Sequence, residues 1–259
     1  MEDLDFLQFI HKVNQHTKID LSQYKEAQMK RRLITLRNKK GYDTFAAFYD
    51  AMTQDAVILH EFLDRMTINV SEFWRNPARW QLLQEVHIPE LLAKKSSLKC
   101  WSAACSTGEE PYTLAMILQE QGVLQQSMIL ATDIDDIVLD KAKTGVYHER
   151  SLREISPAYM KKYFTQEEAG YRISEVLKRS IRFQKHNLLL DRFDSQFDLI
   201  ICRNVLIYFT EEAKQKLYQR FAQALRPGGI LFVGSTEQIF HPEQFELEST
   251  QSFFYRKKG

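Results

Sequence analysis

Residues 99–118 read Lys-Cys-Trp-Ser-Ala-Ala-Cys-Ser-Thr-Gly-Glu-Glu-Pro-Tyr-Thr-Leu-Ala-Met-Ile-Leu, and this stretch decides the fold. The residues from Leu98 to Ala104 are apolar or small, which predicts a short buried strand. Ser106 to Gly108 predict a tight turn, after which apolar residues recur at helical spacing as far as Leu118. A strand, a turn of small residues and a helix form the usual first unit of a nucleotide-binding α/β fold, although an ordinary strand-to-helix turn has the same pattern.

The beginning of this helix carries a charge that is unusual for a phosphate site. Thr107 is the expected N-cap, and Glu109 and Glu110 add negative charge to the first turn. A dinucleotide site has several glycines that let a pyrophosphate approach the helix, whereas this turn has Gly108 alone and two carboxylates that disfavour phosphate. S-adenosylmethionine fits better, because it carries an ammonium, a sulfonium and a ribose but no phosphate. We expect Gly108 to allow close backbone approach, Glu109 to bind the ammonium, and Glu110 to be a first-turn charge on the helix.

A second predicted strand, Met128 to Thr132, leads directly into Asp133. An acid at the end of the second strand of a nucleotide-binding fold accepts hydrogen bonds from ribose hydroxyls. The alternative is a helix N-cap for the segment that follows, but Asp135 is the better candidate for that cap. The sequence therefore predicts that Asp133 binds a ribose.

Composition limits the partners that the chain can have. Its 259 residues include 35 Lys and Arg against 34 Asp and Glu, so the net charge of +1 predicts no general attraction to nucleic acid. The three cysteines lack metal-ligand spacing and fall in or beside predicted strands, which fits a reduced, cytoplasmic setting and no metal. No stretch reaches the apolar length of a membrane span, so we expect no direct membrane insertion.

Residues 1–66 predict a small all-α domain whose second helix is strongly basic. This basic set consists of Lys25, Lys30, Arg31, Arg32, Arg37, Lys39 and Lys40. It is either a solvated helix face or a docking surface for an acidic partner, and nucleic acid is a weaker alternative because the domain as a whole is neutral.

The rest of the chain divides into a linker and an α/β domain. Residues 67–77 form a linker that carries Phe73 and Trp74 together, which indicates that it lines a site, although packing alone would also explain these residues. Residues 78–259 predict the α/β domain, with an inserted subdomain of short antiparallel strands at about 146–182. Near the carboxyl end, residues 197–202 predict a fully buried strand, and the chain ends in a strand that we expect to be antiparallel.

Four segments together resemble the CheR family of chemotaxis receptor glutamate methyltransferases, over nearly the whole chain. They are Asn69-Val-Ser-Glu-Phe-Trp-Arg75, Ala-Ala-Cys-Ser-Thr-Gly-Glu-Glu-Pro-Tyr, Ala131-Thr-Asp-Ile-Asp and Cys202-Arg-Asn-Val-Leu-Ile-Tyr-Phe. The resemblance implies a class I S-adenosylmethionine-dependent methyltransferase fold, with a Rossmann-like, mostly parallel seven-stranded sheet, a small all-α N-terminal domain and a small antiparallel β insert.

The resemblance also implies an activity, the methylation of glutamate side chains on the cytoplasmic helices of transmembrane chemoreceptors. Arg75 and Tyr208 would position the substrate carboxylate. Together with Gly108, the residues implied to contact the cofactor are Asn69, Ser71, Arg75, Glu109, Asp133, Asn187, Leu188, Arg203 and Asn204. Two alternatives remain open at this point: a methyltransferase of another substrate, and an adaptor that binds S-adenosylmethionine without catalysis.

The resemblance further bears on how the chain meets its receptor. Acidic receptor helices would make the basic second helix a docking surface. Some family members bind a peptide at the receptor's C-terminus through a long loop in the insert, but the loop at 166–170 is shorter here, which argues against pentapeptide tethering. We expect a cytoplasmic monomer.

Overall fold

The computed structural model describes residues 2–67 and 71–259, so the predicted cofactor contact Asn69 lies outside the described residues. The chain forms two compact units. One contains the described residues up to 67 together with Tyr208–Gln215, and the other contains the described residues from 71 to 207 and Lys216–Gly259.

The first unit is built from helices, as predicted for the N-terminal domain. The helices are α1 (Glu2–Thr17), α2 (Glu26–Lys39), α3 (Phe45–Gln54) and α4 (Ala56–Thr67). Their apolar faces meet in an aromatic core in which Phe9 and Phe45 lie with ring centroids 5.0 Å apart. The Asp5 carboxylate accepts hydrogen bonds from the backbone N–H of Phe45 at 2.6 Å and of Ala46 at 3.0 Å, which fastens α1 to the beginning of α3.

A segment from much later in the chain completes this unit. Tyr24 and Phe209 form an antiparallel bridge, and their rings lie 4.9 Å apart. The Lys25 N–H donates to the Tyr208 carbonyl oxygen at 2.8 Å, and the Thr210 N–H donates to the Gln23 carbonyl oxygen at 2.8 Å. The helical unit therefore includes backbone pairing that no pattern within residues 1–66 could indicate.

The second unit contains two sheets and the remaining helices. The strands are β1 (Lys99–Ala103), β2 (Met128–Asp133), β3 (Val146–Tyr147), β4 (Phe164–Glu167), β5 (Gly170–Ile173), β6 (Ile181–Lys185), β7 (Phe197–Cys202), β8 (Leu225–Val233), β9 (Leu247–Gln251) and β10 (Phe254–Lys257). The helices are α5 (Pro77–Leu82), α6 (Ile88–Leu92), α7 (Glu109–Glu120), α8 (Asp136–Thr144), α9 (Pro157–Tyr163), α10 (Glu175–Arg179) and α11 (Glu211–Ala224), whose first turns belong to the helical unit. A π-helical turn at Leu83–His87 joins α5 to α6.

The large sheet has seven strands in the order β6-β2-β1-β7-β8-β10-β9. The first five strands in this order are parallel, and β10 runs antiparallel to both of its neighbours. This confirms the mostly parallel seven-stranded sheet with an antiparallel end. The sequence analysis did not identify β9, whose exposed polar residues lack the pattern of a buried strand.

The central strand β7 is buried at every position, as its apolar sequence predicts. Its one charged residue, Asp198, lies near the amino end of the strand and is compensated there. Lys95 Nζ lies 2.7 Å from the Asp198 carboxylate, Arg226 pairs with the same carboxylate, and the Lys99 N–H donates to it at 2.7 Å. The three contacts offset the desolvation of this buried acid.

The insert contains the small antiparallel sheet that the sequence predicts, in the order β3-β5-β4. The β4–β5 hairpin pairs Glu167 with Gly170, so only two residues lie between the paired positions.

Candidate active site

The carboxyl ends of the five parallel strands meet at one edge of the sheet, where four loops that carry predicted site residues begin. The loop after β1 is the tightest of these. Ala104, Ser106 and Gly108 alternate through it with positive φ values of 60°, 49° and 93°. Alanine and serine rarely adopt this left-handed conformation, so the loop holds a backbone shape that is costly for its own sequence. The Cys105 N–H anchors it by donating to the Thr132 carbonyl oxygen at 2.9 Å.

Gly108 is required by packing as well as by its backbone conformation. A Cβ at this position would lie 2.8 Å from the Cβ of Ala142 and 3.1 Å from the Tyr147 hydroxyl. The expected N-cap role of Thr107 is wrong, because Gly108 itself is the N-cap and no side chain caps the helix. Because Gly108 is left-handed, α7 begins at Glu109, one residue later than a Thr107 cap would require. The Thr107 hydroxyl instead donates to Glu109 Oε2 at 2.7 Å.

Glu109 is buried, with 3% of its surface exposed. Its carboxylate accepts hydrogen bonds from the hydroxyls of Thr107 and Ser71, and burial raises its pKa above the ordinary value. Within residues 2–67 and 71–259, no basic side chain pairs with it. The backbone of Glu109 also donates a hydrogen bond to this carboxylate. A buried carboxylate that is supported by neutral donors alone in the described residues is suited to receive a cationic ligand.

Asp133 ends β2 and is also buried. Its Oδ2 accepts the Ser106 N–H at 2.8 Å and its Oδ1 accepts the Asp135 N–H at 3.1 Å, while burial raises its pKa to about 6. Asp135 caps α8 through the Ile137 N–H at 2.9 Å, as expected. The other carboxylate oxygen of Asp135 is buried without a hydrogen-bond partner in the described residues, which leaves an acceptor beside Asp133.

The linker is held by the β insert. The Phe73 ring lies 4.8 Å from Tyr147 and 5.3 Å from Phe164, and the Trp74 ring lies 4.9 Å from Tyr159. Tyr147 also reaches the loop after β1, since its hydroxyl donates to the Thr107 carbonyl oxygen at 2.8 Å. Tyr147, which the sequence analysis did not identify, thus joins the linker to this loop.

Arg203 lies under the site as a buried cation. Its Nη2 donates to the Arg75 carbonyl oxygen at 2.7 Å and to Asn76 Oδ1 at 2.9 Å, and its guanidinium lies 4.7 Å from the Phe232 ring centroid. The Arg203 Nη1 lies 3.7 Å from Glu110 Oε2. This side chain fixes the backbone of the linker at Arg75, so a cofactor contact of Arg203 would have to involve its backbone.

Glu110 lies in the first turn of α7, as expected, and it is also the acidic half of an ion pair. It faces the inside of the sheet unit, where it accepts a hydrogen bond from the Ser102 hydroxyl at 2.8 Å and pairs with Arg203. Burial raises its pKa to about 7, although Arg203 opposes the shift. The sequence did not indicate this ion pair, because Arg203 follows a distant strand and local periodicity does not show which strands become neighbours.

The loops after β6 and β7 bring the remaining predicted contacts to the same edge. Asn187 Oδ1 accepts the Leu189 N–H at 2.9 Å, and Leu188 is buried with its carbonyl oxygen bound by Arg220. Asn204 adopts a left-handed φ of 61°, and its N–H donates to Glu237 at 2.7 Å.

Glu237 was missed by the sequence analysis, although one signal could have found it. It is an acid shortly after the buried strand β8, at the same edge of the sheet where Asp133 ends β2. Acids at the carboxyl ends of parallel strands share one edge, so the position of Glu237 indicates a part in the site.

The basic residues of α2 differ in their surroundings within the helical unit. Arg31 and Lys39 are exposed, whereas Lys40 pairs with Glu61 at 2.6 Å. Arg37 is buried and packs 4.7 Å from the Phe45 ring centroid, so we leave it out of any docking surface.

Two other basic residues of α2 lie over aromatic rings. The Lys30 ammonium lies 5.1 Å from the centroid of Phe6, and the Arg32 guanidinium lies 5.0 Å from the centroid of Tyr208. Lys25, Lys30 and Arg32 are all half-buried. Tyr208 thus has a basic neighbour inside the helical unit.

The described residues offer neither a metal-binding cluster nor a membrane-spanning helix. No cluster of three or more His, Cys, Asp or Glu side chains there could hold a metal ion. The three cysteines are buried and unpaired, as predicted. No helix in that part of the chain has the length and apolar character needed to cross a membrane.

Comparison with known proteins identifies a family for both parts of the chain. A family model described as CheR methyltransferase, SAM binding domain, matches residues 69–254, and one described as CheR methyltransferase, all-alpha domain, matches residues 4–67. A chemotaxis protein methyltransferase of Listeria monocytogenes is 44% identical, over 98% of this chain and 97% of that protein.

More distant relatives are also chemotaxis protein methyltransferases. The protein from Borreliella burgdorferi is 35% identical over 85% of this chain and 83% of its own. The protein from Escherichia coli is 30% identical over 94% of this chain and 87% of its own.

Proposed function

The chain belongs to the CheR methyltransferase family, the S-adenosylmethionine-dependent methyltransferases of chemotaxis, and we propose that it methylates glutamate side chains of chemoreceptors to give glutamyl methyl esters. The observation that carries this proposal is the buried acidic site at the carboxyl edge of the parallel sheet, where Glu109 and Asp133 have no basic partner in the described residues.

The chemistry of the site suits S-adenosylmethionine. Glu109 would receive the ammonium group, because a cation offsets the desolvation of its carboxylate. Asp133 would accept the ribose hydroxyls with the lone pairs left over from its backbone contacts with Ser106, Ile134 and Asp135, and the unpartnered oxygen of Asp135 offers a further acceptor. Ser71, Arg75, Asn187, Leu188 and Asn204 complete the proposed set of contacts, together with Asn69 and the backbone at Gly108 and Arg203.

The reaction asks for positioning more than for proton transfer. S-adenosylmethionine supplies a methyl group on a sulfonium, which is already an activated leaving group. The substrate glutamate, with an unperturbed pKa of about 4.3, is already ionised near neutral pH and needs no general base. We propose that Arg75 holds the substrate carboxylate and that Tyr208 orients it. Neither would hold it strongly, because the carboxylate loses its charge as the ester forms.

We propose that α2 provides a docking surface for the receptor. Arg31 and Lys39 are exposed, and with Lys25, Lys30, Arg32 and Lys40 they give the helix a basic character that complements the acidic methylated helices of receptors. Such helices are cytoplasmic, so we propose that the enzyme works in the cytoplasm as a monomer. The two-residue β4–β5 turn supports receptor binding without pentapeptide tethering.

The decisive experiment measures transfer of a tritiated methyl group to purified cytoplasmic receptor fragments. We expect label that mild base releases as methanol and that maps to glutamate residues, because methyl esters hydrolyse readily. Label that survives mild base would indicate another kind of substrate. Binding of S-adenosylmethionine without any transfer would indicate a non-catalytic adaptor.

A further inference from the structure

Glu237 is a buried acid whose carboxylate accepts hydrogen bonds from backbone amides of two loops. Its side chain is 4% exposed. Glu237 Oε2 accepts the N–H groups of Gly234 and Asn204, both at 2.7 Å, and Oε1 accepts the Ile207 N–H at 3.2 Å. The backbone of Leu206 donates to the same carboxylate. Four N–H groups therefore converge on one carboxylate, and no basic side chain in the described residues binds to it.

The carboxylate fits its place closely. A Cβ at Gly234 would overlap Glu237 Oε2 and would lie 2.9 Å from the Asn204 nitrogen. Only glycine leaves room for the carboxylate at this point, so the loop after β8 is shaped around the side chain of Glu237.

The contacts connect two neighbouring strands at their carboxyl ends. β7 and β8 pair in parallel, with Cys202 opposite Val233. Asn204, two residues beyond β7, has a left-handed φ of 61°, and its hydrogen bond to Glu237 holds this conformation in place.

Only the ionised carboxylate suits these contacts. Two oxygens without protons can accept all four N–H groups, whereas a protonated carboxyl or an amide would direct a donor against them. Burial raises the pKa of Glu237, and the backbone hydrogen bonds oppose that shift and favour the charge.

We propose that Glu237 is a positioning residue for methyl transfer, whose carboxylate fixes the backbone from Asn204 to Ile207. It thereby sets Asn204 for its proposed contact with the cofactor. This inference rests on the proposed function and deepens it, because it names a group outside the set of direct contacts.

The test compares Glu237→Gln with the control Glu243→Gln, which alters an exposed carboxylate a few residues later in the chain. We expect Glu237→Gln to lower kcat on receptor fragments about tenfold or more, because charged hydrogen bonds are lost and a donor faces the amides. KM for the receptor should change by less than about twofold. Hydrogen exchange should accelerate in residues 203–208, and Glu237→Asp, which keeps an acceptor-only group, should recover part of kcat.

Each other outcome counts against the proposal. If Glu237→Gln lowers Tm but leaves kcat of the folded enzyme unchanged, the role of Glu237 is purely structural and the proposal is overturned. The proposal is also overturned if Glu243→Gln lowers kcat as much as Glu237→Gln does. If the wild-type protein does not methylate receptor fragments, the proposed function fails separately. In that case, two other measurements test the role of Glu237: hydrogen exchange in residues 203–208 and the calorimetric affinity for S-adenosylmethionine. If Glu237→Gln changes neither, Glu237 does not position this segment.

Discussion

The Arg203 guanidinium donates to the carbonyl oxygen of Arg75 at 2.7 Å, and so a side chain from the end of β7 holds the backbone of the linker. The same guanidinium is the cation beside Glu110, whose side chain is 13% exposed. The backbone conformation at Arg75, which we propose to position the substrate, and the charge balance of Glu110 therefore both depend on Arg203.

Arg203→Met should destabilise the fold by about 2 kcal/mol, because the Arg75 carbonyl oxygen and Asn76 Oδ1 lose their donor and Glu110 loses its partner. Arg203→Lys should recover only part of this, since one ammonium cannot replace a planar fork that serves three acceptors. Denaturant unfolding measures both, with Arg182→Lys on exposed β6 as the control. Equal stabilities of Arg203→Met and wild type would contradict the role of this cation.

Asp133→Asn should weaken the binding of S-adenosylmethionine about tenfold or more. The amide keeps one acceptor but turns its NH₂ group toward the N–H of Ser106 or Asp135, and it loses the charge that strengthens hydrogen bonds from ribose hydroxyls. Titration calorimetry gives the affinity, and Asp136→Asn, an exposed neighbour, is the matched control. An affinity equal to that of the control would refute ribose binding by Asp133.

Stability should depend on pH through Glu110. Its pKa is about 7 in the folded protein against an ordinary 4.5, so the folded state binds more protons than the unfolded state between these values. Its contribution is present below pH 4.5 and is lost as pH rises through about 7. Between pH 5 and 7.5, wild type should lose about 2 kcal/mol of unfolding free energy relative to Glu110→Gln, as urea unfolding would show. A difference that is constant with pH would show that Glu110 does not titrate in this range.

Gly108→Ala should destabilise the sheet unit more than a positive φ alone explains. The new Cβ would adopt an unfavourable left-handed conformation and would also meet Ala142 at 2.8 Å. Gly41→Ala separates the two effects, because Gly41 has a φ of 81° and open space around it. We expect about 1 kcal/mol for Gly41→Ala and at least about 2 kcal/mol for Gly108→Ala, from thermal unfolding. Equal costs would mean that the contact with Ala142 gives way easily.

Arg31→Ala and Arg32→Ala should affect turnover differently. Arg31 is exposed, so its loss should raise KM for the receptor a few-fold with little change in kcat. Arg32 lies over the Tyr208 ring, so its loss should also lower kcat a few-fold, by about the strength of a cation–π contact. Steady-state kinetics on receptor fragments separates the two parameters. Identical effects on KM and kcat would show that Arg32 acts through receptor docking alone.

The sequence predicted the features that depend on local pattern. The buried strand β7, the cap at Asp135 and the helical character of residues up to 67 follow from periodicity and from residues with strong positional preferences. The cap at Thr107 was misjudged, because the left-handed turn at Gly108 is set by packing against Ala142.

The features that escaped prediction connect residues far apart in the chain. Glu110 meets Arg203, and Glu237 meets the amides that follow β7. Neither pairing leaves a trace in local spacing, since each depends on which strands become neighbours. Glu110 and Arg203 come together only because the strands β1 and β7 that precede them are neighbours in the sheet.

The helical unit includes Tyr208–Gln215, although the helical family match ends at residue 67. A truncated protein that ends after the first four helices would lack the strand partner of Tyr24 and the acceptor for the Lys25 N–H. Exchange of N-terminal domains between relatives would meet the same difficulty, because the introduced helices would have to pair with a Tyr208–Gln215 segment from a different protein. If the helical unit docks the receptor, transfer of receptor preference to a hybrid should require both segments of this unit, residues 2–67 and Tyr208–Gln215.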